Sequence, residues 1–138
     1  MVINRIIDNA AVAIASLNRK PVISAREMAK KHLKKNGATL FGVNSKIKFD
    51  CEWAAWANGT AVRELDFHDT FLAEDYSHPG DNIPPILAVA QQLKKNGLDL
   101  LITCSYNVSI KPTVFNKPCL QSGNAPTPGN IIKSEFFM

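Results

Sequence analysis

Apolar residues recur along this chain mostly at helical spacing. Between residues 2 and 17, Ile3, Ile6, Ile7, Ala10, Ile14 and Leu17 share one side, with Arg5, Asp8 and Asn9 off that stripe, which predicts an amphipathic helix. After a turn over 18–21, Ser24 and Glu27 stand at capping-box spacing and predict a second helix to about Asn36, terminated by Gly37. Thr39, Leu40, Phe41 and Val43 then suggest a brief extended piece, with a turn at Gly42 and Asn44. Asp50 is placed to cap a third helix running to about Leu65. On it Trp53, Trp56, Ala57, Thr60 and Ala61 share a face, while Ala54, Ala55 and Gly59 keep the rod thin. Small residues let neighbouring helices approach closely, so this helix is expected at the centre of a bundle. Asn58-Gly59, elsewhere a hairpin signal, reads here as a weak spot inside a helix.

From Asp66 to Gly80 the apolar pattern fades. Asp81 or Asn82 is then expected to cap another helix, with Pro84 or Pro85 in its first turn and Ile86, Leu87, Val89, Ala90 and Leu93 on its apolar face. Leu98 to Thr103 is a further apolar piece. Past Cys104 come four prolines (Pro112, Pro118, Pro126, Pro128) and no helical period longer than a turn. The expectation is an all-α fold: a helical bundle over residues 1–103, and an irregular tail over 104–138 that is either a divergent disordered end or the product of a shifted reading frame, the latter being favoured.

At 138 residues and 46% hydrophobic composition the chain suits one globular domain or a piece of one. No apolar run approaches the ~20 residues of a membrane span, so a cytoplasmic protein that does not engage a membrane is expected. Cys51, Cys104 and Cys119 show no CxxC spacing and predict free thiols rather than disulfides or zinc. The net charge of +4 is unevenly spread: from Asp50 to Asp81 the chain carries eight of its twelve carboxylates against one arginine, Arg63. Lys30, Lys31, His32, Lys34 and Lys35 invite a nucleic-acid reading. The favoured alternative places them at a helix end, where cations meet exposed carbonyls, and Leu-Lys-Lys-Asn-Gly recurs at 93–97 at another predicted helix end. No nucleic-acid partner is therefore expected.

The candidate chemistry lies where the periodicity fails. Asp66, His68, Asp69, Thr70, Asp75 and His78 follow one another in a polar loop after a helix expected to be buried. A solvated acidic loop with caps at both ends is the plainer account of that spacing. A resemblance decides otherwise: AAWANG (54–59), LDFHDT (65–70), Tyr-Ser-His-Pro-Gly-Asp-Asn (76–82) and ILAVAQQ (86–92) occur in the order and spacing of the MmgE/PrpD family, and the chain resembles it from about Met1 to about Thr103.

That resemblance implies a hydro-lyase of the methylcitrate cycle of propionate breakdown, dehydrating 2-methylcitrate to 2-methylaconitate, with no cofactor and no metal. It implies active-site positions at Asp66, Asp69, Thr70 and His78, with His78 the proton-transfer group, Asp66 and Asp69 orienting it or a substrate hydroxyl, and Thr70 donating to a carboxylate. Asp81 and Asn82 are second-rank substrate-binding candidates. The seven residues from Phe71 to Ser77 match the dehydratase branch rather than a decarboxylase branch with a shorter stretch. In the family, lysines from later in the chain complete the pocket, a second domain covers it, and the helical domain forms a homodimer. This chain alone, with an acidic segment facing a trianionic tricarboxylate, is accordingly expected to be inactive. The competing expectation is a non-catalytic helical binding or assembly module.

Overall fold

The computed structural model describes residues 2–67, 69–72 and 76–114. They form an all-α fold of five helices with short extended pieces: α1 (Val2–Ala15), α2 (Lys20–Ala29), β1 (Leu33–Ala38), α3 (Cys51–Arg63), β2 (Phe71–Leu72), β3 (Tyr76–Ser77), a 3-10 turn over Pro79–Asn82, α4 (Ile83–Gln92) and α5 (Gly97–Val114). Among the described residues no helix is long and apolar enough to cross a membrane.

The third helix is central, as its small residues predict, packing on α1, α2 and α4. Asp50 caps it, its carboxylate accepting the Glu52 N–H at 3.1 Å. The buried face is Ala54, Ala57, Asn58, Ala61 and Val62, a rotation from the expected one. Trp56 is 51% exposed, because the close approach that alanines permit leaves no room for an indole. Asn58 is no weak spot. Its Oδ1 accepts the Phe41 N–H at 2.9 Å and its Nδ2 donates to the Thr39 carbonyl at 2.9 Å, so one buried amide supplies partners to the 39–41 segment, which follows β1 and enters a turn rather than forming the extended piece expected there.

The first helix is turned opposite to its hydrophobic pattern. Ile3, Ile7 and Ile14 are 57–65% exposed, while Asn9 and Ala13 are buried. Ala13 meets Val22, Ala61 and Val62 in a small core cluster, and buried Ser16 donates to the Ala61 carbonyl at 2.6 Å. A short side chain and a hydroxyl bond set this contact, and the isoleucine stripe faces outward.

The second helix differs from expectation at both ends. It starts at Lys20 with Pro21 in its first turn, its N-terminal position Arg19 contributes no side-chain cap, and Glu27 pairs with Lys30 at 2.6 Å instead of closing a capping box. It ends at Ala29, not Asn36. The following stretch is drawn out along the 47–50 segment: Lys34 N–H donates to the Lys48 carbonyl at 3.0 Å and Asp50 N–H to the His32 carbonyl at 2.9 Å. Phe49, 1% exposed, packs with Ala38, Leu40, Ala54 and Ala57. Burying such a side chain is worth about 1.5–3 kcal/mol, more than the helical preference of residues 30–36 offers. The lysine run is thus not a helix end: Lys34 sits on β1 and pairs with Asp50 at 2.7 Å. The turn at Gly42 is present, with φ of 74°.

Neither Asp81 nor Asn82 caps α4 through a side chain; the 3-10 turn leads directly into it. Its buried residues are Ile83, Pro84, Ile86 and Ala88, and Leu93 is exposed. The last helix, capped by Asn96 Oδ1 accepting the Asp99 N–H at 2.9 Å, continues through Val114. Helical order therefore runs past Cys104, where it was expected to stop. The remainder of the tail expected over 104–138, from residue 115 onward, lies outside the described residues.

Candidate active site around His78

The two-strand ribbon places the candidate residues. Phe71 pairs with Ser77 and Leu72 with Tyr76 in antiparallel register, which brings the residues just before Phe71 beside those just after Ser77. Asp69 and His78, nine positions apart, meet there. The Asp69 main-chain carbonyl lies 2.7 Å from His78 Nδ1, and its carboxylate Oδ1 accepts the Gly80 N–H at 2.8 Å. One residue thus grips both sides of Pro79.

The first bond also sets the imidazole tautomer. A carbonyl oxygen only accepts, so Nδ1 carries the proton and, in the neutral ring, Nε2 is the basic nitrogen. Asp69 is 8% exposed, and its carbonyl and its carboxylate are both directed at the turn that carries His78 and Gly80.

Gly80 is needed at this junction. A Cβ there would lie 2.5 Å from both Asn9 Nδ2 and Asp69 Oδ1. Asn9, on the inward face of α1, therefore abuts the turn, and its Oδ1 is buried without a partner. Two further buried polar atoms beside the turn are likewise unpartnered, Asp81 Oδ1 and Asn82 Nδ2.

Two arginines offset the acidic segment. Arg5 Nε stands 3.7 Å from Asp69 Oδ2, and Arg63 Nη1 3.1 Å from Asp81 Oδ2. Arg5 and Asn9 went unrecognised in the sequence because the helical stripe assigns them to solvent; the contacts that reveal them are tertiary. Elsewhere on the described surface Arg19 pairs with Glu64 at 3.2 Å and Arg26 donates to the Leu17 carbonyl at 3.0 Å.

Asp66 is exposed in the turn that ends α3, with a left-handed φ of 57°, and Thr70 is exposed. His68, Glu74 and Asp75 lie outside the described residues. Among the described residues no three of His, Cys, Asp and Glu stand close enough to share a metal ion. Buried Cys104 lines a narrow cleft beside Gly80 and Asn82, and burial pushes its thiol above the usual range. A wider hollow of about 450 Å³ lies elsewhere, between His32, Lys34, Asp50, Cys51, Glu52 and Trp53. There His32 stacks on Trp53 at 3.9 Å, and burial raises the Cys51 thiol.

With this geometry in view, comparison with known proteins is informative. The profile of the MmgE/PrpD N-terminal domain matches residues 1–123. This chain belongs to the MmgE/PrpD family. The match reaches beyond Thr103, where the resemblance was expected to end. The chain is 41% identical over 63 residues to the 2-methylcitrate dehydratase of Salmonella typhimurium strain LT2, a stretch covering 46% of this chain and 13% of the relative. It is 41% identical over 61 residues to the Cupriavidus necator 2-methylcitrate dehydratase, covering 44% and 12%. It is 40% identical over 65 residues to a probable 2-methylcitrate dehydratase of Saccharomyces cerevisiae, covering 41% and 13%. The matched stretch is thus about an eighth of these relatives' length. No solved structure matches the chain.

Proposed function

We propose that His78 is the proton-transfer group of a hydro-lyase acting on 2-methylcitrate or a close tricarboxylate, in propionate catabolism. The observation that carries this reading is the double grip of Asp69, whose carbonyl accepts a hydrogen bond from the His78 Nδ1–H while its carboxylate accepts one from the Gly80 N–H. Dehydration removes a proton from carbon and expels hydroxide from the neighbouring carbon, forming a double bond; the hydroxide becomes water by taking a proton from solvent, to which the base returns the one it has gained. A base with a fixed tautomer and position serves the first step. Nε2 of His78 takes that proton, Asp69 positions the ring, and Thr70 and Asp66 stand on the same loop to meet substrate oxygens. Asp81 and Asn82 belong to the substrate side of the turn.

The reading is supported by family membership and by the names of the relatives, which are enzymes of this reaction. The 138-residue chain by itself is expected to lack turnover, because a trianion needs more cations than Arg5 and Arg63. The test is a chimera in which residues 1–123 of this chain, the extent of the family match, replace their counterpart in the Salmonella typhimurium 2-methylcitrate dehydratase, with product formation followed by its ultraviolet absorbance. We expect turnover in the chimera, none in the chain alone, and a loss of roughly a hundredfold or more on His78→Ala. A folded chimera whose turnover is indifferent to His78→Ala would refute the assignment.

A second reading, a non-catalytic helical assembly module such as a homodimer, is favoured by the outward turn of Ile3, Ile7 and Ile14. A soluble, correctly folded chimera devoid of turnover would leave that reading in place of the first.

A further inference from the structure

Two unmet donors border the same cleft. Among the described residues, Arg5 faces Asp69, its Nε 3.7 Å from Oδ2 and so too far for a hydrogen bond, and its guanidinium donates no hydrogen bond. Its side chain is 39% exposed. Asn82 Nδ2 is buried and donates to nothing. Both line the narrow cleft beside Gly80, whose walls include buried Ile83, Ile86 and Cys104. The cleft volume is about 10 Å³, room for roughly one oxygen-sized group.

We propose that Arg5 and Asn82 form a carboxylate-binding subsite, in which one carboxylate oxygen of a polycarboxylate enters the cleft and accepts from Asn82 Nδ2 while the guanidinium holds the anion. The inference rests on the reading that His78 serves a tricarboxylate. The chemistry follows from what is unmet. Both open groups are donors and one is cationic, so the ligand is an anionic acceptor. A buried amide donor left without an acceptor is costly, and a ligand oxygen removes that cost. The apolar walls strengthen the attraction by excluding water. Asp69, the acid that faces Arg5, directs Oδ1 to the Gly80 N–H, so it does not occupy the guanidinium's outer edge. The subsite also answers the charge problem of the acidic segment, since its cation comes from α1, outside that segment.

The test titrates tricarballylate, which carries three carboxylates and no hydroxyl, into the ¹⁵N-labelled full chain. We expect saturable shifts of the Arg5 Nε–H and Asn82 side-chain amide resonances. Arg5→Gln and Asn82→Ala should each weaken binding by about tenfold or more, as expected for charge-assisted and buried bonds. Arg19→Gln, whose guanidinium pairs with Glu64, should leave binding unchanged. Absence of saturable binding, shifts confined elsewhere, or wild-type affinity in Arg5→Gln would overturn the proposal. Should Arg5→Gln fail to fold, the two wild-type side-chain resonances decide alone, and no response at either rejects the subsite. Since tricarballylate has no hydroxyl to lose, Arg5-dependent binding without turnover in the chimera removes only the dehydratase reading. Turnover that needs His78 but not Arg5 removes only the subsite.

Discussion

Replacing Gly59 and Gly80 by alanine adds the same methyl group at two places and is expected to move stability in opposite directions. Gly59 lies inside α3, and a Cβ there meets nothing within 4 Å. Alanine there restricts the unfolded chain and suits the helix, a gain of ~0.5–1 kcal/mol. At Gly80 the added carbon would stand 2.5 Å from Asn9 Nδ2 and 2.5 Å from Asp69 Oδ1. Both residues are less than a tenth exposed, so neither side chain can swing into solvent. Overpacking of this kind costs ~1–3 kcal/mol, and separating the Asp69 carboxylate from the Gly80 N–H costs a further ~1.5–3 kcal/mol. At roughly 3 °C per kcal/mol for a chain of this length, Gly59→Ala should raise Tm by about 2 °C and Gly80→Ala should lower it by about 10 °C. Circular dichroism and tryptophan fluorescence melts that coincide make the comparison valid. The His78 imidazole ¹⁵N shifts should change in Gly80→Ala and not in Gly59→Ala. Equal melting shifts in the two variants, or an unaltered His78 in Gly80→Ala, would refute the account of the junction.

Asn58→Ala should cost about 2–4 kcal/mol, since it deletes two hydrogen bonds and leaves the Phe41 N–H and Thr39 carbonyl unmet; urea titration beside Asn44→Ala, an exposed local contact, provides the check. The Lys34–Asp50 pair sets a pH window. The hydrogen bond from Lys34 holds the Asp50 carboxyl below its usual range, and the same bond holds the Lys34 ammonium above its own. The carboxylate's contribution is present above its ordinary value near pH ~4 and is lost as pH falls through its lowered one; that of the ammonium is present below ~10.5 and is lost as pH rises through its raised one. Melting curves of Lys34→Met should therefore differ from wild type between those limits, converge outside them, and converge at about 1 M salt; a difference that persists in acid or high salt would argue against the pair.

The helices that local chemistry specifies strongly were legible. Asp50 caps α3, and the alanines at 54, 57 and 61 place it centrally. The motif spacing marked Asp69 and His78, and the ribbon between them brings the two together. What sequence patterning missed is the orientation of α1. An apolar stripe says that a face is apolar, not that this chain covers it, and the buried face carries Asn9 and Ala13 because the turn at Gly80 and the backbone of α3 leave no room for larger groups. Arg5 enters the site by that same rotation.

The division between sequence and tertiary structure is plainest in five residues that occur twice. At 93–97, Leu-Lys-Lys-Asn-Gly ends α4: Lys94 takes a left-handed φ of 54°, its N–H donates to the Gln91 carbonyl, and the Lys95 N–H donates to the Ala90 carbonyl at 2.9 Å. That outcome is the one its position after a helical run predicts. At 33–37 the same residues are extended, with Lys34 paired to Asp50, and Gly37 set so tightly against the Phe49 carbonyl that no side chain would fit. Local propensities among such residues differ by less than ~1 kcal/mol each. Sequence alone therefore determined where the capped, alanine-rich helix and the polar loop would lie. The burial of Phe49, a contact made across the chain, decided which of two identical segments became a strand.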